Sequence, residues 1–195
     1  MPNVPVVIET PVGTIEADLY EDSAPGTVAN FLYYVDSGLF NGGRFHRTVT
    51  LANNSNSNLK TEVADSGIAE SEDSAMPNDA VAIEVIQGGI DPSRTAEQRP
   101  AIALERTSDT GLAHLDGTLS MGRRTADSAI SDFFICINDQ PSLDFGGRRN
   151  VDGQGFAAFG RVIAGMDVVR EIQIAPADGQ QLQPPVAITS IRRKA

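Results

Sequence analysis

Phe45-His46-Arg47 is the stretch of this 195-residue chain whose residue types most plainly could do chemistry. Gly42 and Gly43 lead into it, and Val49 and Leu51 continue an apolar–polar alternation after it, so the three residues fall on a strand. An arginine there cannot shed its charge, and it carries five N–H donors in a rigid planar fork. On a sheet surface beside a groove, such a group can hold and polarise an amide. A solvated strand arginine is the plainer alternative, and the rest of the chain has to decide between them.

Other chemistries find little support. Gly153-Gln154-Gly155-Phe156-Ala157-Ala158 has the GxGxxA spacing of a dinucleotide loop, but a polar loop precedes it and a strand follows, the reverse of what that motif needs. His46, His114 and Cys136 are too scattered in sequence to read as a metal set. Cys136 lies in an apolar strand, which suits a buried structural thiol, and no GxSxG is present. No carboxylate pair stands at a spacing that singles it out. What remains is a groove-like set of arginine, glutamine, phenylalanine and leucine, without an obvious acid, base or nucleophile. Neither a metal nor a cofactor is expected.

Net charge is −11, which argues against nucleic acid or an anionic membrane as partner. Residues 48–80 alone contribute −5 of it, and they are rich in Ser and Asn. No apolar run reaches the ~18 residues of a membrane span. The single cysteine rules out an internal disulfide framework, and the start Met1-Pro2-Asn3-Val4 has no basic or apolar leader pattern. A cytoplasmic setting is therefore expected, with the periplasm open if a leader was removed.

The elements follow from periodicity. Val4 to Glu9 and Thr14 to Leu19 read as a hairpin about Thr10-Pro11-Val12-Gly13. Val28, Phe31, Leu32 and Val35 make one helical stripe, with Asp22 or Ser23 as cap, Pro25 in the first turn and Gly38 as the stop. Strands are predicted at 44–51, 81–89, 117–121, 132–137 and 156–163, with a short candidate at 101–105. A helix is predicted at 165–172, and Pro184-Pro185 is expected to introduce a last strand, 186–191. Residues 50–80 hold no period and read as a long surface excursion. About eight strands and two helices with no βαβ rhythm predict a mainly β domain over 1–195. Its antiparallel sheet is expected to close into a barrel that hides its edges.

In this order, FHR at 45–47, IQGG at 86–89, GTLSM at 117–121, SDFFIC at 131–136, LD at 143–144 and FAAFGRVIAGMDVV at 156–169 resemble the cyclophilin family of peptidyl-prolyl cis-trans isomerases. The resemblance spans the chain apart from about 50–80. It implies a closed eight-stranded antiparallel barrel capped by two α-helices, and an enzyme that turns X-Pro bonds in protein substrates. It assigns Arg47 the catalytic role and Gln87 the substrate backbone. Phe134 and Leu143 match walls of the proline pocket, Phe156 stands where many members have histidine, Val85 falls at a substrate-binding position, and Gly122 and Arg123 match positions whose backbone receives the peptide. The implied partners are proline-containing polypeptides and cyclosporin-type inhibitors, the latter weakened here, and a monomer is expected.

Three substitutions depart from the family pattern. Glu84-Val85 stands where an aromatic–methionine pair is usual, Asp132 replaces a glutamine, and Ser142 replaces a tryptophan. Glu84 and Asp132 fall at substrate-binding positions, and Glu84 is expected to compete with substrate by pairing with Arg47. Arg47 and Gln87 are also 40 residues apart, far more than the family spacing. An active isomerase and a proline-peptide binding module with weak or no catalysis both stay open.

Overall fold

The computed structural model describes residues 3–54 and 81–194, so most of the excursion expected at 50–80 lies outside the described residues. One ten-stranded antiparallel sheet organises the chain. Its strands are β1 (Val4–Glu9), β2 (Thr14–Leu19), β3 (Gly43–Val49), β4 (Val85–Gly89), β5 (Thr118–Met121), β6 (Phe133–Cys136), β7 (Ala158–Ala164), β8 (Ala177–Asp178), β9 (Gln181–Ile188) and β10 (Ser190–Arg193). Among the described residues the α-helices are α1 (Pro25–Asp36), the single turn α2 (Thr107–Thr110) and α3 (Met166–Gln173). The spatial order is β10-β1-β2-β7-β5-β6-β4-β3-β9-β8.

The two ends of that order meet through the chain itself. β9 pairs with β3, and β10 pairs with β1. Only Thr189 separates them: the Ile188 carbonyl accepts from Gly42 N–H on the β3 side, while Thr189 N–H donates to Glu9 on the β1 side. Counted as one bent strand, β9–β10 closes a wall of eight strands and leaves little unpaired edge. Pro184 and Pro185 lie inside β9, not before it. The β3–β9 register jumps from Phe45↔Val186 to Arg47↔Gln181, so both prolines sit where pairing is interrupted and no N–H is needed.

The interior is filled by alternate residues of the strands and by the apolar side of α1. Phe31, Phe40, Phe45, Phe133 and Phe159 are fully buried. Phe31 meets Phe133 edge-on at 5.3 Å and lies 5.0 Å from Phe40. The cap of α1 differs from expectation. The N-cap position falls on Ala24, not on Asp22 or Ser23; Glu105, far along the chain, accepts from the N–H groups of Gly26 (3.0 Å) and Thr27 (2.7 Å). A carboxylate at a helix N-terminus serves both the unpaired donors and the dipole. The strand expected at 101–105 reduces to a single bridge, Ile102↔Ala129.

Candidate active site

A β-bulge creates the site. Strict alternation would put Phe45 and Arg47 on one face of β3. The register shifts between them in both neighbouring pairings, so His46 is the extra residue. Phe45 then enters the barrel core, while Arg47 and Val49 turn to the outer wall. Beyond the bulge, Arg47 pairs with Gln87, Gln87 with Phe134, and Phe134 with Ser120. One rung across β3, β4, β6 and β5 therefore carries Arg47, Gln87 and Phe134, three residues singled out from the sequence, side by side.

A second apolar cluster lies on this outer face, distinct from the barrel core. Val49, Ile83, Val85, Phe134, Cys136 and Leu143 are buried in it, and Phe156 packs against it. Phe134 and Phe156 meet edge-on, centroids 5.6 Å apart. Burial pushes the Cys136 thiol well up, with Asp144, Asp116 and Asp139 adding to the shift, so it stays neutral. Behind Phe134, the buried His114 ring stacks at 6.1 Å. That ring is held between Asp144 (2.7 Å) and Ser120 (2.9 Å).

Arg47 is half-buried and held by two glutamine oxygens. Gln180 Oε1 accepts from Nε (2.9 Å) and Nη2 (2.7 Å), and Gln87 Oε1 accepts from Nη1 (2.9 Å). Gln87 Nε2 in turn donates to Asp132 Oδ2 (3.2 Å), an oxygen that also contacts His46 Nε2 (3.2 Å). Gln180 carries no sequence signal: it lies in the turn between β8 and β9, outside every motif.

Glu84 is not where it was expected. Val85 and Gln87 face the groove, so period two turns Glu84 away from it. Its carboxylate accepts from Asn138 Nδ2 (2.8 Å) and Gln173 Nε2 (3.4 Å), not from Arg47. Glu84→Phe should accordingly leave kcat/KM for a proline peptide within about two-fold of the parent. A larger change in a folded variant would show that this side chain reaches the groove after all.

Gly122 stands against the groove, but its N–H is already donated to the Asp132 carbonyl (2.8 Å). Arg123 contributes differently from its neighbour. Its side chain is only 1% exposed. The fork takes both Asp152 oxygens (2.7 and 2.8 Å) and the Gly155 carbonyl (2.8 and 2.6 Å), and lies 4.9 Å over the Phe156 ring. It therefore clamps the loop that carries Phe156, and what Arg123 exposes is backbone.

Partial burial pushes the Asp152 carboxyl up, but the Arg123 fork and the Gln154 N–H outweigh it and leave its pKa below the usual 3.8. A folded-state value below the unfolded one means that the stabilisation is present above pH 3.8 and is lost as pH falls through the lower folded value. Asp152→Asn should thus flatten the fall in Tm below about pH 4. An unchanged acid limb in thermal melts would count against the clamp.

The pattern of the family described as "Cyclophilin type peptidyl-prolyl cis-trans isomerase/CLD" matches residues 5–193. A peptidyl-prolyl cis-trans isomerase of Acinetobacter baylyi is 31% identical over 99% of this chain and 87% of its own length. Peptidyl-prolyl cis-trans isomerase A of Dickeya dadantii is 33% identical over 86% of this chain and 70% of its own. Among solved structures, a cyclophilin-type isomerase of Cryptosporidium parvum superimposes with a TM-score of 0.70 at 20% identity, covering 99% of this chain and 98% of that one. Another structure with the same description was determined in the presence of the dipeptide Ala-Pro.

Proposed function

This chain belongs to the cyclophilin-type peptidyl-prolyl cis-trans isomerases, and on that premise we propose that Arg47 drives the rotation of X-Pro bonds in exposed segments of other polypeptides. The observation that carries this is the rung Arg47–Gln87–Phe134, which sets a donor, an amide and an apolar wall at neighbouring strand spacings on one face.

Turning an X-Pro bond breaks no covalent bond. Its barrier, ~18–20 kcal/mol, is the loss of amide resonance. As the bond twists, the prolyl nitrogen regains its lone pair, and an N–H aimed at it stabilises that state over either planar one. Arg47 supplies such a donor beside the pocket. Phe134, Leu143, Val85 and Phe156 hold the ring, Gln87 binds the peptide backbone, and the Gly122 carbonyl and the Arg123 backbone receive the chain beyond. His46 and Asp132 also border a shallow groove with Arg44, Gln98 and Pro185, a path on which the polypeptide can continue. No proton transfer and no nucleophile enter this scheme, which accounts for a site built without them.

Further parts of the proposal are a monomer acting in the cytoplasm and weak inhibition by cyclosporin-type compounds, since Ser142 presents little surface next to Leu143. A protease-free exchange assay on an Ala-Pro tetrapeptide tests the catalytic reading. Turnover is expected; binding of the peptide with no acceleration of exchange would make the chain a recognition module instead.

A further inference from the structure

Two carboxamides hold Arg47, and only one of them belongs to the substrate rung. The other, Gln180, is 133 residues away in sequence and only 3% exposed. Its Oε1 takes two N–H groups of the fork, and its Nε2 donates to the Asn53 carbonyl at 2.8 Å. A carboxamide has one oxygen and one NH2. With a carbonyl on one side and a guanidinium on the other, only one orientation satisfies both; the flipped amide would set oxygen against oxygen and N–H against N–H. The backbone is tied as well. Thr48, next to Arg47, donates its N–H to the Gln180 carbonyl (2.8 Å), and Asn53 Nδ2 bonds the carbonyls of Thr48 (3.1 Å) and Gly179 (2.9 Å).

We infer that Gln180, oriented by Asn53, is a positioning residue for the isomerase reaction: it fixes the plane of the Arg47 fork through a neutral oxygen that offers no compensating charge. The inference rests on the catalytic role proposed for Arg47. Arginine has several rotatable side-chain bonds, and a donor that must meet a transient lone pair tolerates little play. A misplacement of about 1 Å can cost on the order of 10²-fold in rate. A carboxylate in the same place would still offer oxygens to the fork, but it would lose the bond to the Asn53 carbonyl and would draw down the field that the twisted amide uses.

The test compares the full chain with Gln180→Leu, in the native and Arg47→Ala backgrounds. The readouts are kcat and KM on an Ala-Pro tetrapeptide and the solvent exchange of the Arg47 Nε–H by nitrogen-edited NMR. Gln180→Leu should lower kcat about ten-fold, leave KM within about two-fold and speed Nε–H exchange. It should cost nothing further once Arg47 is alanine, whereas a residue acting only on structure would cost the same factor in both backgrounds. Equal losses in the two backgrounds, or a kcat within two-fold of native, would overturn the inference. Should Gln180→Leu fail to fold, Gln180→Glu keeps the acceptor. Slow Nε–H exchange with reduced kcat is then expected, and native kcat would overturn the role given to the neutral oxygen. Arg47→Ala with native turnover marks a different failure. It removes the catalytic reading itself, even if Gln180→Leu still frees the Nε–H.

Discussion

Replacing Arg47 with alanine is expected to lower kcat/KM for proline peptides by about 10²–10³-fold, the range found when one preorganised donor is removed from an active site. The loss should fall mainly on kcat. Val85, Phe134 and Leu143, the walls proposed for the ring, stay packed whether or not the arginine is present, so ground-state binding should change little. Arg47→Lys should recover only a small part of the rate. A lysine ammonium has no planar fork, and the three observed bonds to Gln180 and Gln87 use that fork on two sides. Stability should fall by about 1–3 kcal/mol, because alanine takes two N–H donors from the buried Gln180 Oε1. A protease-free assay with a thermal melt on each variant checks both halves. Native kcat in a folded Arg47→Ala protein would end the proposed mechanism.

Phe134→Ala should do the opposite, striking binding and folding together. Phe134 is 5% exposed, stacks on the His114 ring and meets Phe156 edge-on. Truncating a buried phenylalanine costs about 3–5 kcal/mol from lost transfer and the cavity left behind. For a chain of this size that corresponds to a Tm lower by roughly 6–20 °C. The same cavity removes the wall proposed for the prolyl ring, so KM should rise more than kcat falls. Phe134→Leu, which refills most of the volume, should restore most of the Tm but less of the affinity, since the edge-on contact to Phe156 is lost. A Phe134→Ala protein with native KM would place the proline elsewhere.

Much of the fold is legible along the chain. Residues 4–9, rich in β-branched types, and residues 14–19, which alternate cleanly, form the hairpin they predict. The stripe through Val28, Phe31, Leu32 and Val35 is the buried side of α1. The run FFIC assigns its own faces, Phe133 and Ile135 to the barrel core and Phe134 and Cys136 to the outer cluster. The helix turn at Thr107–Thr110 was not legible. It is one turn long, and its C-terminal stop, Gly111 at φ 71°, has no periodic stretch before it to terminate.

The site divides along the same line. Residue type and order determined that Arg47, Gln87, Phe134, Leu143 and Phe156 belong together and that the chemistry is held in hydrogen bonds and apolar walls. Three matters were decided only in three dimensions. A bulge at His46 reverses the face of β3, and a bulge depends on the partner strands' register, which no local period encodes. Glu84, which period two sets on the face opposite Val85 and Gln87, meets Asn138 and Gln173 there, partners that only the fold brings to it. The partners that hold the working groups, Gln180 for Arg47 and Asp152 for Arg123, come from distant turns. A polar side chain in a turn looks alike in sequence whether it meets water or a buried guanidinium, and only the closure of the barrel brings these two to their arginines.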